Sequence, residues 1–219
     1  MERVYFVSGI DTDAGKSYAT GILAARWREQ GVKVITQKFI QTGCGSGKSM
    51  AVSEDIALHR RLMGLELLPE DLDGTTCPIM FSYPASPDFA ARLEGTEPDL
   101  ASVKRSTEKL LERYEKVLIE GAGGLMVPIR GFYTTLDYIE DHALPVILVT
   151  NPKLGSVNHT LLSLEACINR GIRVDMVLYN LYPETSPEIT EDTRRFLGEW
   201  LHRNLPRTEF IEIPFTPLL

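Results

Sequence analysis

The sequence predicts an α/β protein: a mainly parallel central sheet of about seven strands with helices on both faces. Three observations carry that prediction. Short apolar runs at residues 4–7, 117–119 and 145–150 lack polar–apolar alternation, the pattern of strands buried on both faces. Longer amphipathic stretches separate them, which implies βαβ units with right-handed crossovers. Polar, glycine-rich segments follow several strands, and in an open parallel sheet ligands sit beyond the carboxyl ends of the strands.

In chain order, residues 4–7 read as the first strand. Residues 17–30 read as a helix closed by Gly31, a residue suited to the left-handed position after a helix. Residues 32–36 form a second strand. Residues 53–63 are helical with Gly64 after them, 87–93 form a short helix ending near Gly95, and 100–115 form a longer one. A strand at 117–119 precedes a short helical piece at 135–140. The strand at 145–150 holds Ile147, Leu148 and Val149 in a row. A helix at 156–170 ends at Gly171, followed by a strand at 174–179, a helix at 188–203 and a last strand at 210–213. Segments 41–53 and 66–86 are the least regular, and neither reads as a domain boundary. The 219 residues fit one large α/β domain better than two small ones.

The bulk composition narrows the function. Net charge is −7 with no basic run, which argues against a nucleic-acid partner. It does not exclude a phosphate ligand, because backbone N–H groups can bind one on an acidic protein. Cys44, Cys77 and Cys167 are far apart and odd in number, so no disulfide framework or zinc spacing follows; unpaired thiols in a reducing compartment are expected. The N-terminus lacks a signal-peptide pattern, and no apolar run approaches the ~20 residues of a membrane span. A cytoplasmic protein with no membrane partner is predicted.

The first strand runs into Ser8-Gly9-Ile10-Asp11-Thr12-Asp13-Ala14-Gly15-Lys16-Ser17. Strand, glycine-rich loop, Lys-Ser and helix make the P-loop arrangement of ATP-binding domains. The expected fold is therefore a three-layer P-loop NTPase, with residues 1–219 as a single catalytic domain. Gly15 lets the backbone approach a phosphate, Lys16 supplies a charge to the β- and γ-phosphates, and Ser17 offers a hydroxyl to Mg²⁺. The helix that follows directs its positive end at the anion, so Asp13, Ala14, Gly15, Lys16, Ser17 and Tyr18 form the expected nucleotide contact. The spacing departs from the common motif: its first glycine position holds Ile10. A second Gly47-Lys48-Ser49 lies well past the second strand with no helix beginning at Ser49, and reads as a flexible loop.

Mg²⁺ takes oxygen ligands, usually one or two carboxylates plus phosphate oxygens. Glu120 closes the apolar run 117–119 in the position of a Walker B acid. Gly121, Ala122 and Gly123 behind it permit close backbone approach to a ligand. Asp55 sits in the first turn of the helix from Ser53, where the helix dipole alone also favours an acid. Lys38 stands just past the second strand, able to neutralise a transferring phosphoryl group or simply solvated.

These segments resemble the dethiobiotin synthetases. The matching pieces are residues 6–17, Lys38 with Thr42-Gly43, Glu54-Asp55, Ser86-Pro87, Glu120-Gly121-Ala122-Gly123-Gly124, residues 145–149, and Lys153-Leu154-Gly155-Ser156-Val157-Asn158-His159. They run nearly the whole chain, and the unusual loop spacing is the one this family has. The resemblance implies an ATP-dependent ligase of biotin biosynthesis. It would carboxylate 7,8-diaminopelargonate with CO₂ and close the ring to dethiobiotin through a carbamate and a carbamic–phosphoric anhydride.

The resemblance also implies roles. Lys16 and Lys38 would stabilise the γ-phosphate, with Thr12 near the substrate amines or carbamate. Ser17, Asp55 and Glu120 would hold Mg²⁺. Asn180 would recognise adenine, with Pro214 and Phe215 flanking it. Thr42 would contact the substrate. Gly155, Ser156, Val157 and Asn158 would bind its carboxylate across a homodimer, a helix N-terminus suiting a carboxylate. Departures from the family are Phe39 where proline is common, Asp88 where histidine is common, and a chain end at Leu219 soon after Pro214. The alternatives are a ParA/MinD-like switch ATPase, which usually carries an extra lysine where this loop has Asp11-Thr12-Asp13, and a related ATP-dependent amide synthetase.

Overall fold

The computed structural model describes residues 2–44, 52–182 and 185–215. The second Gly-Lys-Ser, at residues 47–49, lies outside the described residues. β1 (Val4–Gly9) leads through a 3₁₀ turn at Thr12–Ala14 into α1 (Lys16–Glu29), then β2 (Val34–Lys38) and a two-residue β3 (Gln41–Thr42). There follow α2 (Glu54–Leu62), α3 (Pro69–Leu72), β4 (Met80–Phe81), α4 (Pro87–Leu93) and α5 (Leu100–Leu111). The second half comprises β5 (Lys116–Gly124), the hairpin β6 (Pro128–Arg130) and β7 (Tyr133–Thr134), α6 (Thr135–Asp141), β8 (Val146–Thr150), α7 (Ser156–Asn169), β9 (Val174–Asn180), α8 (Pro187–Asn204) and β10 (Glu209–Ile213).

Among the described residues six strands form the central sheet in the order β10-β9-β8-β1-β5-β2, and every neighbouring pair is parallel. The count is six rather than about seven, because β3–β4 and β6–β7 pair with each other as separate two-stranded ribbons. The strands show no alternation in sequence because both faces are covered. Side chains still alternate between two apolar layers. Tyr5 and Val7 pack with Ala19, Leu23 and Ala24 of α1, while Phe6 packs with Phe39 and Tyr138 on the opposite face. Leu118, Ile147 and Val149 join the α1 side; Val117, Ile119, Val146 and Leu148 join the other, with Val103 and Leu110 of α5 and Leu164 and Cys167 of α7.

Three boundaries differ from expectation in ways that matter for the site. β2 ends at Lys38, not Thr36, so Lys38 is a strand residue with fixed register opposite Glu120. β5 continues through the glycine run to Gly124, where it pairs with Gly9, so Glu120 sits within a strand. At Gly121 a Cβ would lie 2.8 Å from Cε1 of Phe6, so the residue there has no room for a side chain. α5 stops at Leu111, because the chain must turn so that the N–H groups of Glu115 and Lys116 reach the carbonyl of Lys33.

Two polar devices anchor the helices. α6 opens on a capping box in which Thr134 and Asp137 exchange hydrogen bonds, and Arg170 pairs with Asp137. Within the core, Arg60 of α2 donates to both carboxylate oxygens of Asp71, at 2.9 and 2.8 Å, and to Thr36 Oγ1 at 2.8 Å. Both members of that ion pair are buried; the pair ties α2 to α3, and the contact with Thr36 ties α2 to β2. The three cysteines are free, and no helix of the described residues is long and apolar enough to cross a membrane.

Candidate active site

The site forms where β1, β5 and β2 end side by side. Beyond β1 the backbone at Gly15 takes a φ of 80°, a left-handed conformation that glycine adopts without steric cost. A Cβ there would meet Nδ2 of Asn180 at 2.1 Å, so the loop and the end of β9 touch directly. Asn180 Nδ2 donates to the carbonyl of Ala14 at 3.2 Å. Lys16 opens α1, and its Nζ folds back to donate to the carbonyls of Asp11 and Thr12 at 3.0 and 3.1 Å. Burial pushes the Lys16 ammonium down to about 8, against the pull of Glu120.

Ser17, Lys38, Asp55 and Glu120 meet at one corner. Ser17 Oγ is 2.9 Å from Oδ1 of Asp55 and 2.8 Å from Oε1 of Glu120. Lys38 Nζ donates to Oε1 of Glu120 at 2.8 Å and to the Gly121 carbonyl at 3.2 Å, and is ion-paired with Asp55. Burial alone would lower the Lys38 ammonium; Glu120 and Asp55 outweigh it and hold the group well above the ordinary lysine value. Burial would likewise raise Glu120, but Lys38 and His59 hold its carboxyl far below the usual range. Both groups are therefore charged at neutral pH.

The Ser17 hydroxyl has one hydrogen and two carboxylate oxygens within reach. Three oxygens converging on one point match the hard-oxygen donor set of Mg²⁺. Among the described residues no cluster of three or more His, Cys, Asp or Glu offers a metal cage, so a cation here would depend on a ligand's oxygens for the rest of its shell.

The corner opens into a cleft of about 870 Å³, lined among others by Thr12, Asp13, Gly15, Lys16, Ser17, Tyr18, Lys38, Thr42, Asp55, Glu120, Ala122, Gly123, Asn180 and Phe215. At its far end Tyr182 and Phe215 stack with ring centroids 4.9 Å apart, and the Tyr18 hydroxyl donates to the Pro214 carbonyl at 3.0 Å. A phosphate loop, two lysines, an oxygen corner and an aromatic end make a nucleotide-sized cleft.

The chain has relatives along most of its length. The chain matches the AAA domain family over residues 3–209. It is 49% identical over 210 residues to the ATP-dependent dethiobiotin synthetase of Pasteurella multocida, covering 96% of each chain. Against that of Haemophilus influenzae the identity is 54% over 184 residues, covering 84% of this chain and 94% of that one. Against that of Chlorobaculum tepidum it is 49% over 201 residues, covering 92% and 82%. The chain belongs to the dethiobiotin synthetase family.

Not every residue assigned from the family resemblance reaches this cleft. Ala14 is buried beneath the loop, and Gly121 contributes its carbonyl to Lys38 rather than a surface. Gly155, Ser156, Val157 and Asn158 start α7 outside the cleft of the same chain. Ser156 instead lines a separate small cavity with Asp13, Asn151 and His159, and its hydroxyl, nearly inaccessible, has no hydrogen-bond partner. Asp88 accepts from the Gly131 N–H at 2.6 Å and from Arg92 at 3.0 Å. It buttresses the β6–β7 hairpin.

Residues to which the sequence assigns no role also stand in or behind the cleft. Lys153 and Tyr182 follow β8 and β9 and line the cleft. His59 is buried behind Glu120, with Nε2 2.6 Å from Oε2. Its signal was present: His59 lies four residues beyond Asp55 on one helix, hence on the same face.

Proposed function

We propose that this chain makes dethiobiotin from 7,8-diaminopelargonate, CO₂ and ATP as one catalytic domain spanning residues 1–219. The observation that carries the reading is the convergence of Lys16, Ser17, Lys38, Asp55 and Glu120 on one corner of a nucleotide-sized cleft, in a chain whose relatives are named dethiobiotin synthetases.

One amine of the substrate takes up CO₂ as a carbamate. A carbamate oxygen attacks the γ-phosphorus of ATP and ADP leaves. The second amine then attacks the carbonyl carbon of the mixed anhydride, expels phosphate and closes the cyclic urea. Phosphorylation makes a poor leaving oxygen a good one, so the protein's task is positioning and charge stabilisation. Lys16 would release its loop carbonyls to bind the γ-phosphate, and Lys38 would meet the same charge from β2. Thr12, at the mouth of the loop, would orient the amine or carbamate, and Thr42 would contact the substrate chain.

Ser17, Asp55 and Glu120 would hold Mg²⁺, which when bound supplies charge neutralisation for the phosphates. Asp13, Gly15, Tyr18, Ala122 and Gly123 would line the nucleotide, with Ala14 and Gly121 supplying backbone beneath it. Asn180, Pro214 and Phe215 would receive adenine, an assignment favoured by the aromatic end of the cleft. The absence of Gly155, Ser156, Val157 and Asn158 from the cleft of their own chain fits a substrate carboxylate held by a second subunit, hence a homodimer. We place the enzyme in the cytoplasm, consistent with its free thiols.

The test is incorporation of labelled CO₂ together with phosphate release, both requiring the diamine. Diamine-independent ATP hydrolysis without labelled product would replace this reading with a partner-driven switch ATPase.

A further inference from the structure

We infer that His59 is a positioning residue for Glu120: it pins one carboxylate oxygen so that the other stays turned toward Ser17. The inference rests on the metal reading of that corner.

His59 is fully buried and does not line the cleft, so it touches neither nucleotide nor substrate. The two oxygens of Glu120 have separate surroundings. Oε1 faces Ser17 Oγ and Lys38 Nζ, each at 2.8 Å. Oε2 lies 2.6 Å from His59 Nε2, a close contact without the alignment of a good hydrogen bond. A cation and a triphosphate entering the corner must displace the contacts of Oε1. The contact of Oε2 lies outside the cleft and can persist through that exchange.

The ring is itself held. Nδ1 lies 3.0 Å from Thr36 Oγ1, and that oxygen already accepts from Arg60 at 2.8 Å. The Thr36 hydroxyl keeps a hydrogen to give to Nδ1, and in that tautomer the neutral ring carries its own hydrogen on Nε2, beside Oε2. Arg60 is fixed in turn by both oxygens of Asp71. Asp71, Arg60, Thr36, His59 and Glu120 make a buried strut in which each member sets the next. A buried carboxylate with one oxygen unheld would rotate about its terminal torsion, which is soft, and a partner that orients a ligating side chain tunes metal affinity.

The experiment measures Mn²⁺ binding to the full chain with ADP, by electron paramagnetic resonance and calorimetry at fixed pH, where no turnover contributes. Asparagine matches the reach of Nδ1 toward Thr36 but falls short of Glu120; glutamine reaches the position of Nε2. His59→Asn should weaken Mn²⁺ about tenfold, while His59→Gln stays within about twofold of wild type. The KM for ATP at saturating metal should move little in either. His59→Leu, which keeps the buried volume, carries the same expectation as asparagine, so a folding failure in one variant does not remove the test. Wild-type Mn²⁺ affinity in folded His59→Asn or His59→Leu protein would overturn the role of His59. Wild-type affinity in Glu120→Gln would overturn the metal reading itself, and the strut's function with it.

Discussion

Asn180 occupies the space that any side chain at position 15 would need: a Cβ on Gly15 would lie 2.1 Å from its Nδ2. Two costs therefore fall on Gly15→Ala, the left-handed backbone and the collision. The backbone part is about 1–2 kcal/mol. Adding Asn180→Ala should recover stability beyond that remainder, read from urea midpoints. A double variant no more stable than Gly15→Ala would show that the two residues do not collide.

Lys16→Ala should lower kcat by about 10²–10³-fold, the usual loss when one preorganised charge facing a transition state is removed. Lys48→Ala, in the second Gly-Lys-Ser, should turn over ATP like wild type. Comparable losses in both would move the phosphate site away from β1.

Glu120→Gln should shift the Mg²⁺ concentration for half-maximal turnover upward by tenfold or more. It also strips Lys38 of a charged partner, so near-wild-type activity would remove Glu120 from the corner on both counts. Steady-state rates across a magnesium titration decide it.

Arg60→Leu leaves Asp71 buried without its countercharge. Cutting one partner of a buried pair costs about 3–5 kcal/mol, and replacing both, Arg60→Leu with Asp71→Leu, should recover much of it. If the single variant unfolds at the wild-type denaturant concentration, the pair carries no such weight.

Asp137 is held at about 2, first by Arg170 and then by Thr134, below the ordinary value of 3.8. A depressed carboxyl adds stability that is complete above its unfolded value and fades as pH falls through the folded one. The gap in urea midpoint between wild type and Asp137→Asn should accordingly be constant above pH of about 5 and close between about 4 and 2. A gap that persists at the acid end would exclude the linkage.

What the chain disclosed on reading was what depends on local order. Gly15, Lys16 and Ser17 are consecutive, so strand, turn and helix bring them together whatever the rest of the fold does. Lys38 and Glu120 were legible as strand-end residues, but their pairing depends on register between β2 and β5. The full length of β5 was missed because glycine runs read as loops, and here the close approach of Phe6 demands a glycine at position 121. The β6–β7 ribbon was missed because strands of two or three residues leave no period to detect. The spacing from Asp55 places His59 on the face of α2 turned to the site, but its partner Glu120 lies on β5, and that pairing belongs to the packing of α2 on the sheet.

The corner formed by Lys38, Asp55, Glu120 and Ser17 sets one ammonium against two carboxylates, and Lys38 is matched to both of them. An anion entering alone must pull lysine away from its carboxylates and leave them stranded. An anion that travels with a divalent ion gives every separated group a replacement in the same event. Discrimination against bare sulfate, chloride or uncomplexed phosphate is thus built into the resting arrangement, before any contact with a nucleobase is made.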